Sequence, residues 1–342
     1  MPHSLPAIDE GAIVAAARIL RAGRLVAFPT ETVYGLGANA LDADAVARIY
    51  AVKGRPRTSP LIVHVASIEM AKFLVAAWPD AADRLAKKFW PGPLTLVLEK
   101  SRGGRGFLPA GSSAAPHAVE LSAAIPSIVT AGLSTVGLRM PAHPVALALI
   151  RAAGLPLAAP SANRFTQLSP TTADHVRAGL GTDVDYILDG GPCHVGIEST
   201  VLSLAGSDPM LFRPGGISRQ DLESEIGPIQ SAGEIPDGAH PSPGMHARHY
   251  SPRTSLLLVT GGEVPRHGNG IYLQHQRLPA RADIAIIEMP VSPADYAAAL
   301  YDTLHRADRA DRDWIAVDLP PDTPDWEAVH DRLRRAATTT TP

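Results

Sequence analysis

Apolar residues repeat along the chain with two spacings, one typical of helices and one typical of short buried strands. Residues 10–21 carry alanine, isoleucine and leucine at helical spacing and end before Gly23, and the apolar run at 25–28 predicts a strand. Asp42 predicts the N-cap of a second helix, and the run at 61–65 predicts a second strand. This alternation of helices and strands indicates an α/β fold.

The alternation continues through two regions that a linker separates. In the first region, the patterns predict strands at 94–98, 135–139, 157–159, 186–188, 200–204 and 210–213, and helices at 67–77, 81–89, 144–153 and 171–178. In the second, they predict strands at 255–260, 270–273, 284–288 and 314–318, and helices at 293–306 and 326–337. We therefore expect a larger α/β domain at 8–226, a linker at 227–254 and a smaller α/β domain at 255–338.

Two stretches show no regular spacing of apolar residues. Residues 101–127 are crowded with Gly, Ser, Ala and Pro, and this composition predicts a long surface loop. Residues 227–252 accumulate Pro and Gly, which is typical of a linker.

Composition narrows the class of protein. The chain has 342 residues, of which 45% are hydrophobic, which is enough for two cores. The formal charge of −3 and the aromatic content of 5% argue against strong direct binding of nucleic acid. No apolar run reaches the roughly 20 residues that cross a bilayer, and a leader pattern is missing from the first residues. The single cysteine, Cys193, fits a reducing compartment, so we expect a cytoplasmic protein without membrane contact.

Hydroxyl side chains follow the first predicted strand. Thr30, Thr32 and Tyr34 lie in the segment 29–37, and Gly35 and Gly37 permit a close approach of the backbone to a ligand. Open α/β sheets usually bind their ligands just past the strand ends. A capping arrangement at a turn, with a packed tyrosine, explains the same pattern.

Cations cluster where the second predicted helix ends. Lys53, Arg55 and Arg57 surround Pro56, and together they could neutralise a triphosphate. The alternative is that these cations interact with the helix C-terminus, which is common.

Two charged or titratable residues belong to apolar strands. His64 is either a packed strand histidine or a site residue. Arg139 ends a strand before Pro141, where it could pair with a structural acid or bind a carboxylate through two hydrogen bonds.

Further polar groups follow later strands. Ser161, Asn163 and Thr171 supply hydroxyls and an amide, although turn and N-cap chemistry would also use them. Ser199 and Arg213 belong to two turns that bracket a strand pair, and Arg213 is either a phosphate ligand or a salt-bridge partner.

The spacing of histidines, glycines and possible nucleophiles argues against several other kinds of site. His246 and His249 have no second pair of good ligands nearby, so we expect no zinc site. The glycines at 261–270 do not fit a dinucleotide fingerprint, and neither a Walker loop nor a nucleophile beside an obvious base occurs.

Five segments, taken together and in this order, resemble the YrdC/Sua5 family of threonylcarbamoyl-adenylate synthases. They are 29–37, 53–56, 161–163, 198–200 with 213–216, and 242–245 running into His249 and Tyr250. The resemblance implies a YrdC-like twisted open mixed sheet with flanking helices, and a Rossmann-like α/β C-terminal domain. It also implies that L-threonine, bicarbonate or carbon dioxide, and ATP form threonylcarbamoyl-adenylate and pyrophosphate, the first step of the t6A37 modification of transfer RNA.

The resemblance also implies roles for individual residues. Lys53 and Arg55 would be catalytic, and the linker would close over the nucleotide. The threonine ligands would be Thr32, His64, Arg139, Ser161 and Ser199. The ATP ligands would be Lys53, Arg55, Ser59, Thr135, Asn163, Thr171, Arg213 and Tyr250. The expected cofactor is Mg²⁺ carried with ATP, and the product would pass to a tRNA-modifying transferase complex.

Two rival functions stay open from the sequence. A related domain serves in a different carbamoyl-transfer enzyme, but the acylphosphatase-like region and zinc-finger cysteine pairs that accompany it there are missing. An RNA-binding module is the other rival, and the acidic balance and low aromatic content argue against it.

Overall fold

The computed structural model describes residues 9–103, 105–108, 119–122, 124–232, 249–265, 267–275, 284–308 and 312–338. Its helices are α1 (Glu10–Arg21), α2 (Ala43–Lys53), α3 (Ile68–Phe73), α4 (Asp80–Phe89), α5 (Pro144–Ala153), α6 (Ala173–Leu180), α7 (Arg219–Ile226), α8 (Pro293–Asp308) and α9 (Glu327–Ala336). Two 3₁₀ turns, Gly181–Asp183 and Pro324–Trp326, accompany them.

The strands of the first domain form one mixed sheet and one hairpin. They are β1 (Val26–Phe28), β2 (Gly35–Asn39), β3 (Ile62–His64), β4 (Leu94–Glu99), β5 (Arg105–Leu108), β6 (Val119–Ser122), β7 (Thr135–Arg139), β8 (Leu157–Ala158), β9 (Tyr186–Ile187), β10 (Thr200–Ser203), β11 (Met210–Arg213) and β12 (Gln230–Ser231). The sheet has the order β12-β11-β10-β4-β7-β3-β8-β2-β1-β9, and β5 pairs with β6 separately. The sheet contains both parallel and antiparallel pairs, so the predicted mixed α/β architecture is confirmed.

Local sequence explains where several helices begin and end. The Asp9 side chain accepts a hydrogen bond from the Ala12 amide at 3.0 Å and caps α1. Asp42 caps α2 in the same way, as predicted. Gly54 and Gly154 end α2 and α5 in the left-handed conformation, which glycine adopts without a steric penalty. The predicted bounds of α1 and α5 agree with the structure to the residue.

Five helices and strands were not predicted. The stretch 101–127, predicted as a loop, contains the hairpin of β5 and β6. The segment 29–37, predicted as a turn, continues into β2, which pairs with β1. The sequence also gave no signal for α7, whose one fully buried residue is Leu222, nor for β12, which lies in the predicted linker and pairs with β11. These elements are short or have few apolar positions, so periodicity cannot detect them.

The second domain is built on four parallel strands with the order β13-β16-β14-β15. They are β13 (Ser255–Val259), β14 (Gly270–Gln274), β15 (Ala285–Glu288) and β16 (Trp314–Asp318), and α8 and α9 pack against them. The core of this domain includes Leu256, Leu273, Leu300, Ile315 and Leu333, and it continues to Val33, Leu168 and Ile197 of the first domain. Among the described residues, no helix is long and apolar enough to cross a membrane.

Candidate functional site

A pocket lies where several strands and turns of the large sheet meet the segment that precedes the second domain. The pocket lies at the C-terminal ends of β1, β3, β7 and β11 and at the N-terminal end of β10. Its walls are formed by Thr30, Thr32, Val33, Gly35, Arg55, Ile62, His64, Arg139, Ala159, Pro160, Ser161, Glu198, Ser199, Arg213, His249 and Tyr250. Eight residues that the sequence predicts as ligands therefore line one cavity: Thr32, Arg55, His64, Arg139, Ser161, Ser199, Arg213 and Tyr250.

The two threonines after β1 are fixed by hydrogen bonds to each other and to the backbone. Their hydroxyls lie 2.8 Å apart, and the Thr30 hydroxyl donates to the Val33 carbonyl at 2.6 Å. Tyr34 points away from the pocket and donates to the Gly191 carbonyl at 2.8 Å. Burial raises the pKa of Tyr34, so it remains protonated. Thr30 and Thr32 therefore both belong to the pocket wall, whereas Tyr34 does not.

The two cations after α2 are both buried, but they play different parts. The Lys53 ammonium donates to the carbonyls of Ser161 and Asn163, at 2.6 and 2.5 Å, and thereby connects α2 to the turn after β8. Arg55 lines the pocket and donates to the Ser59 side chain and to the Pro60 carbonyl. Burial lowers the pKa of Lys53 well below its usual value, and the positive charge of Arg55 adds to this effect.

Arg57, the third cation of this segment, is exposed. Burial lowers the pKa of Arg55 to about 10, which still leaves Arg55 charged at neutral pH. Arg55 is therefore a fixed positive charge in the pocket wall.

Arg139 and His64 are partners on the neighbouring strands β7 and β3. The Arg139 guanidinium forms an ion pair with Glu31 at 2.7 Å, and its Nε donates to the Gly92 carbonyl at 3.3 Å. Glu31 in turn accepts a hydrogen bond from the Ala142 amide. Burial, and then the charge of Arg139, lower the pKa of His64 to about 3, so the imidazole is neutral near pH 7.

The turns that flank β10 and β11 are held together by Arg213. Its Nε and Nη2 donate to the Ser199 carbonyl at 3.0 and 2.9 Å, and Nη2 also lies 3.2 Å from the Ser199 hydroxyl. The Ser199 hydroxyl contacts Thr95 on β4 at 2.8 Å. The Ser199 hydroxyl and the Arg213 guanidinium therefore form one unit of the wall.

Glu198 contributes the one carboxylate among the described residues of the pocket wall. It accepts hydrogen bonds from Ser169 at 2.5 Å, Tyr301 at 3.1 Å and Arg332 at 2.8 Å. Burial alone would raise the pKa of Glu198, but the charges of Arg332 and Arg213 hold it below its ordinary value. The carboxylate is therefore ionised.

His249 and Tyr250 cover the pocket from the side of the second domain. Tyr250 is almost completely buried and adopts a positive φ of 62°, a conformation that is rare for a residue with a side chain. The cavity beneath has a volume of about 50 Å³. Pockets for nucleotide-sized ligands typically exceed roughly 300 Å³. A ligand of that size therefore needs more space than this cavity offers.

Five predicted ligands lie outside the pocket wall. Lys53 and Ser59 stand behind it, and Thr135 faces a neighbouring small cavity. Asn163 donates to the carbonyls of Arg164 and Gln167, and Thr171 lies 3.4 Å from the His175 ring. The linker segment 242–245 and His246 lie outside the described residues.

Sequence reasoning missed three residues that organise the site: Glu31, Glu198 as an ion-pair partner, and Arg332. Glu31 and Glu198 are the only two acidic residues in the motif segments 29–37 and 198–200. Their charge could therefore have indicated that they pair with the predicted arginines. Arg332 lies in the second domain, and its helical spacing from Val329 and Ala336, which places it on the apolar face of α9, was the available signal.

The charge balance around the pocket favours an anionic ligand. Five buried cations lie in or directly behind its walls, against two buried carboxylates. The cations are Lys53, Arg55, Arg139, Arg213 and Arg332, and the carboxylates are Glu31 and Glu198. Both carboxylates are already paired with arginines. Within the described ranges, no group of three or more His, Cys, Asp or Glu side chains could hold a metal ion.

Comparisons with known proteins identify relatives along the whole chain. The family model Sua5_yciO_yrdC, described as "Telomere recombination", matches residues 18–215. A second model, Sua5_C, described as "Threonylcarbamoyl-AMP synthase, C-terminal domain", matches residues 217–338.

Individual relatives agree with this result. The threonylcarbamoyl-AMP synthase of Bacillus subtilis is 42% identical over 346 residues, which cover 96% of this chain and 94% of the relative. The enzyme of the same name from Pyrococcus abyssi is 46% identical over 258 residues, or 74% of this chain and 69% of the relative. The crystal structure of P. abyssi Sua5 complexed with L-threonine superimposes with a TM-score of 0.84 at 38% identity, over 96% of this chain and 95% of that one.

Proposed function

The chain belongs to the YrdC/Sua5 family of threonylcarbamoyl-AMP synthases, and from this premise we propose that the pocket under Tyr250 binds L-threonine and ATP side by side. The protein is an enzyme of the nucleotidyltransferase type. It makes L-threonylcarbamoyladenylate, in the first step of t6A synthesis. The observation that supports our placement of both substrates is the convergence of Arg55, Arg139 and Arg213 with the hydroxyls of Thr32 and Ser199 in one cavity.

The threonine side of the site is the part next to β3 and β7. Arg139, oriented by Glu31, offers its guanidinium to the threonine carboxylate, since a planar fork suits two carboxylate oxygens. Neutral His64 and the hydroxyls of Thr32, Ser161 and Ser199 orient the remaining polar groups of the amino acid. Because the pKa of His64 is low, it acts here as a neutral hydrogen-bonding group.

The ATP side of the site is the part next to α2 and β11. Arg55 and Arg213 neutralise phosphate oxygens, and Lys53 holds the turn that carries Ser161 and Asn163. We also assign Ser59, Thr135, Asn163 and Thr171 to the surroundings of the nucleotide. Tyr250 closes over the bound substrates and excludes water.

The reaction needs positioning more than acid–base chemistry. The neutral amine of threonine attacks carbon dioxide derived from bicarbonate and forms a carbamate. The proton that the amine loses neutralises the hydroxide that bicarbonate releases, so that water is the by-product. A carbamate oxygen then attacks the α-phosphorus of ATP, and pyrophosphate leaves with the electron pair of the broken P–O bond. Fixed arginines stabilise the charge that develops on the phosphate oxygens.

Magnesium would enter with ATP and be held mainly by its phosphate oxygens. Glu198, the carboxylate of the wall, is occupied by Arg332, Ser169 and Tyr301, so the protein offers a hard cation few oxygen ligands here. We further propose that the enzyme works in the cytoplasm and passes its product to a tRNA-modifying transferase complex. The boundaries 8–226, 227–254 and 255–338 remain our proposal for its domains.

The test is pyrophosphate release from ATP and Mg²⁺ by the purified protein, with and without L-threonine and bicarbonate. We expect release to require both co-substrates and to be lost in Arg55→Ala. The matched control is Arg57→Ala, because Arg57 belongs to the same segment but is exposed. Release that ignores threonine, or equal effects of the two substitutions, would contradict the proposed site. RNA binding without turnover would favour the rival binding module.

A further inference from the structure

The second domain reaches the active site through one side chain of α9 and one of α8. Arg332 is completely buried, and its Nε forms an ion pair with the Glu198 carboxylate at 2.8 Å. Tyr301, on α8 of the same domain, donates to the same carboxylate oxygen at 3.1 Å. Because Glu198 lines the pocket, two residues of the second domain contact a wall of the active site directly.

The other nitrogens of Arg332 bind the backbone on both sides of the Ser199 and Arg213 unit. Nη2 donates to the Glu198 carbonyl at 3.2 Å, and Nη1 donates to the Pro214 carbonyl at 3.0 Å and to the carboxylate of its neighbour Asp331 at 2.7 Å. Glu198 immediately precedes Ser199, and Pro214 immediately follows Arg213. One guanidinium therefore bridges the two turns that present these residues to the pocket.

Arg332 also supports the cover of the pocket. Its guanidinium carbon lies 5.5 Å from the centre of the Tyr250 ring, within the range of a cation–π contact. The Tyr301 ring lies 5.8 Å from the same ring. The position of Tyr250 over the cavity therefore depends on the same two residues that hold Glu198.

Attachment of the two domains does not by itself explain a charged residue at this place. Burying an arginine is costly, and a buried ion pair is often no more stabilising than apolar side chains of the same size. The three groups that Arg332 contacts in the first domain are a pocket carboxylate and the carbonyls that flank two pocket residues. The fork of an arginine, with several donors in fixed directions, suits this arrangement better than a lysine.

We propose that Arg332 is a positioning residue of the active site. Through it, the second domain fixes the positions of Glu198, Ser199 and Arg213 in the pocket wall and supports Tyr250. This inference rests on the proposed function of the pocket. It makes the second domain a structural part of the catalytic site.

The first experiment compares Arg332→Met and Arg332→Lys with Arg334→Met in the full-length protein. Arg334 lies on the same helix but is exposed, so it controls for the loss of an arginine from α9. We expect Arg332→Met to raise the Kd for ATP, measured by calorimetry, by roughly tenfold or more, since the loss of one charge-assisted hydrogen bond from Arg213 to a phosphate weakens binding by about that factor. Arg332→Lys should be intermediate, and Arg334→Met should match the wild type.

A double variant separates positioning from domain stability. Arg332→Met leaves the Glu198 carboxylate buried without its partner, which destabilises the fold; adding Glu198→Gln removes that charge and should restore much of the Tm. The bridge between the two turns stays broken in the double variant, so the weak ATP binding should persist. Recovery of both Tm and ATP affinity would overturn the inference, as would wild-type affinity in Arg332→Met.

Pyrophosphate release tests the proposed function independently of the role of Arg332. If the wild type and Arg334→Met release pyrophosphate only with threonine and bicarbonate, the proposed function stands whatever Arg332→Met does. If neither releases pyrophosphate, the proposed function fails, and the ATP affinities still decide whether Arg332 positions the pocket.

Discussion

Glu31 and Arg139 form an ion pair at the wall of the pocket, with Oε1 and Nη2 2.7 Å apart and side chains only 1% and 4% exposed. The two residues come from different strand ends of one sheet and lie 108 positions apart in the chain. Each also binds the backbone, Glu31 at the Ala142 amide and Arg139 at the Gly92 carbonyl. The pair therefore fixes the direction of the guanidinium before any ligand arrives.

Breaking this pair should destabilise the fold strongly. Glu31→Gln keeps the size of the side chain but leaves Arg139 as an uncompensated buried charge, so we expect a loss of about 3–5 kcal/mol in the free energy of unfolding. The control is Glu225→Gln, whose partner Lys88 is exposed, and it should cost less than about 1 kcal/mol. Denaturant unfolding of both variants measures the difference. Equal losses would mean that the Glu31 pair is not closed in solution.

Replacing the fork of Arg139 should weaken threonine binding selectively. Arg139→Lys keeps a positive charge beside Glu31 but loses one charge-assisted hydrogen bond to the carboxylate. Such a bond contributes about 1.5–3 kcal/mol, so the KM for threonine should rise roughly 10- to 100-fold. The KM for ATP should change little, and the exposed Arg151→Lys should change neither value. A larger effect on ATP than on threonine would exchange the two sides of the site that we assign.

His64 should make stability depend on pH in the acid range. Its folded-state pKa of about 3 lies below its unfolded value near 6.5, so between these values the unfolded chain binds more protons than the folded one. The contribution of the neutral imidazole is therefore complete above about pH 6.5 and is lost as pH falls towards about 3.

Comparison with His64→Asn tests this dependence. Between pH 6.5 and 5, the unfolding free energy of the wild type should fall more steeply than that of the variant, by up to about 1.4 kcal/mol per pH unit. The exposed His194→Asn should keep the slope of the wild type. A wild-type slope in His64→Asn would show that the imidazole titrates at its ordinary pKa.

The sequence predicts features that depend on neighbouring residues better than features that depend on residues far apart in the chain. α1 and α5 were predicted to the residue because their caps and apolar spacing are local. The convergence of Thr32, His64 and Arg139 was also within reach, since each lies at or just past the end of a strand of one sheet. The order of ten strands follows from pairings that no local pattern records, and β2 begins inside a motif that resembles a turn.

The pairing of charges was the part that sequence reasoning could not reach. Arg332 binds Glu198 across 134 positions and between two domains, and no local pattern identifies that partner, although the helical spacing of Arg332 from Val329 and Ala336 places it on the apolar face of α9. Arg334 falls on the opposite face, and accordingly Arg332 is completely buried whereas Arg334 is exposed. Burial of a long charged side chain is a property of the assembled domains.

Gly196 offers a direct test of how closely the two domains must approach. A Cβ at this position would lie 2.4 Å from the Ala298 Cα and 2.5 Å from the Ala297 carbonyl oxygen, both in the backbone of α8. Gly196→Ala should therefore push α8 away and move Tyr301 off Glu198. We expect a lower Tm and a weakened affinity for ATP together.

The control for this substitution is Gly154→Ala. Gly154 has a positive φ, as Gly196 does, but a Cβ there would meet nothing within 4 Å. Both variants bear the cost of a left-handed alanine, about 1–2 kcal/mol, whereas overpacking should add roughly 1–3 kcal/mol at Gly196 alone. If the two variants lost equal stability and both kept the ATP affinity of the wild type, close contact of α8 would not be needed for the site. A loss of ATP affinity in Gly196→Ala alone would support a catalytic pocket whose shape depends on α8 of the second domain.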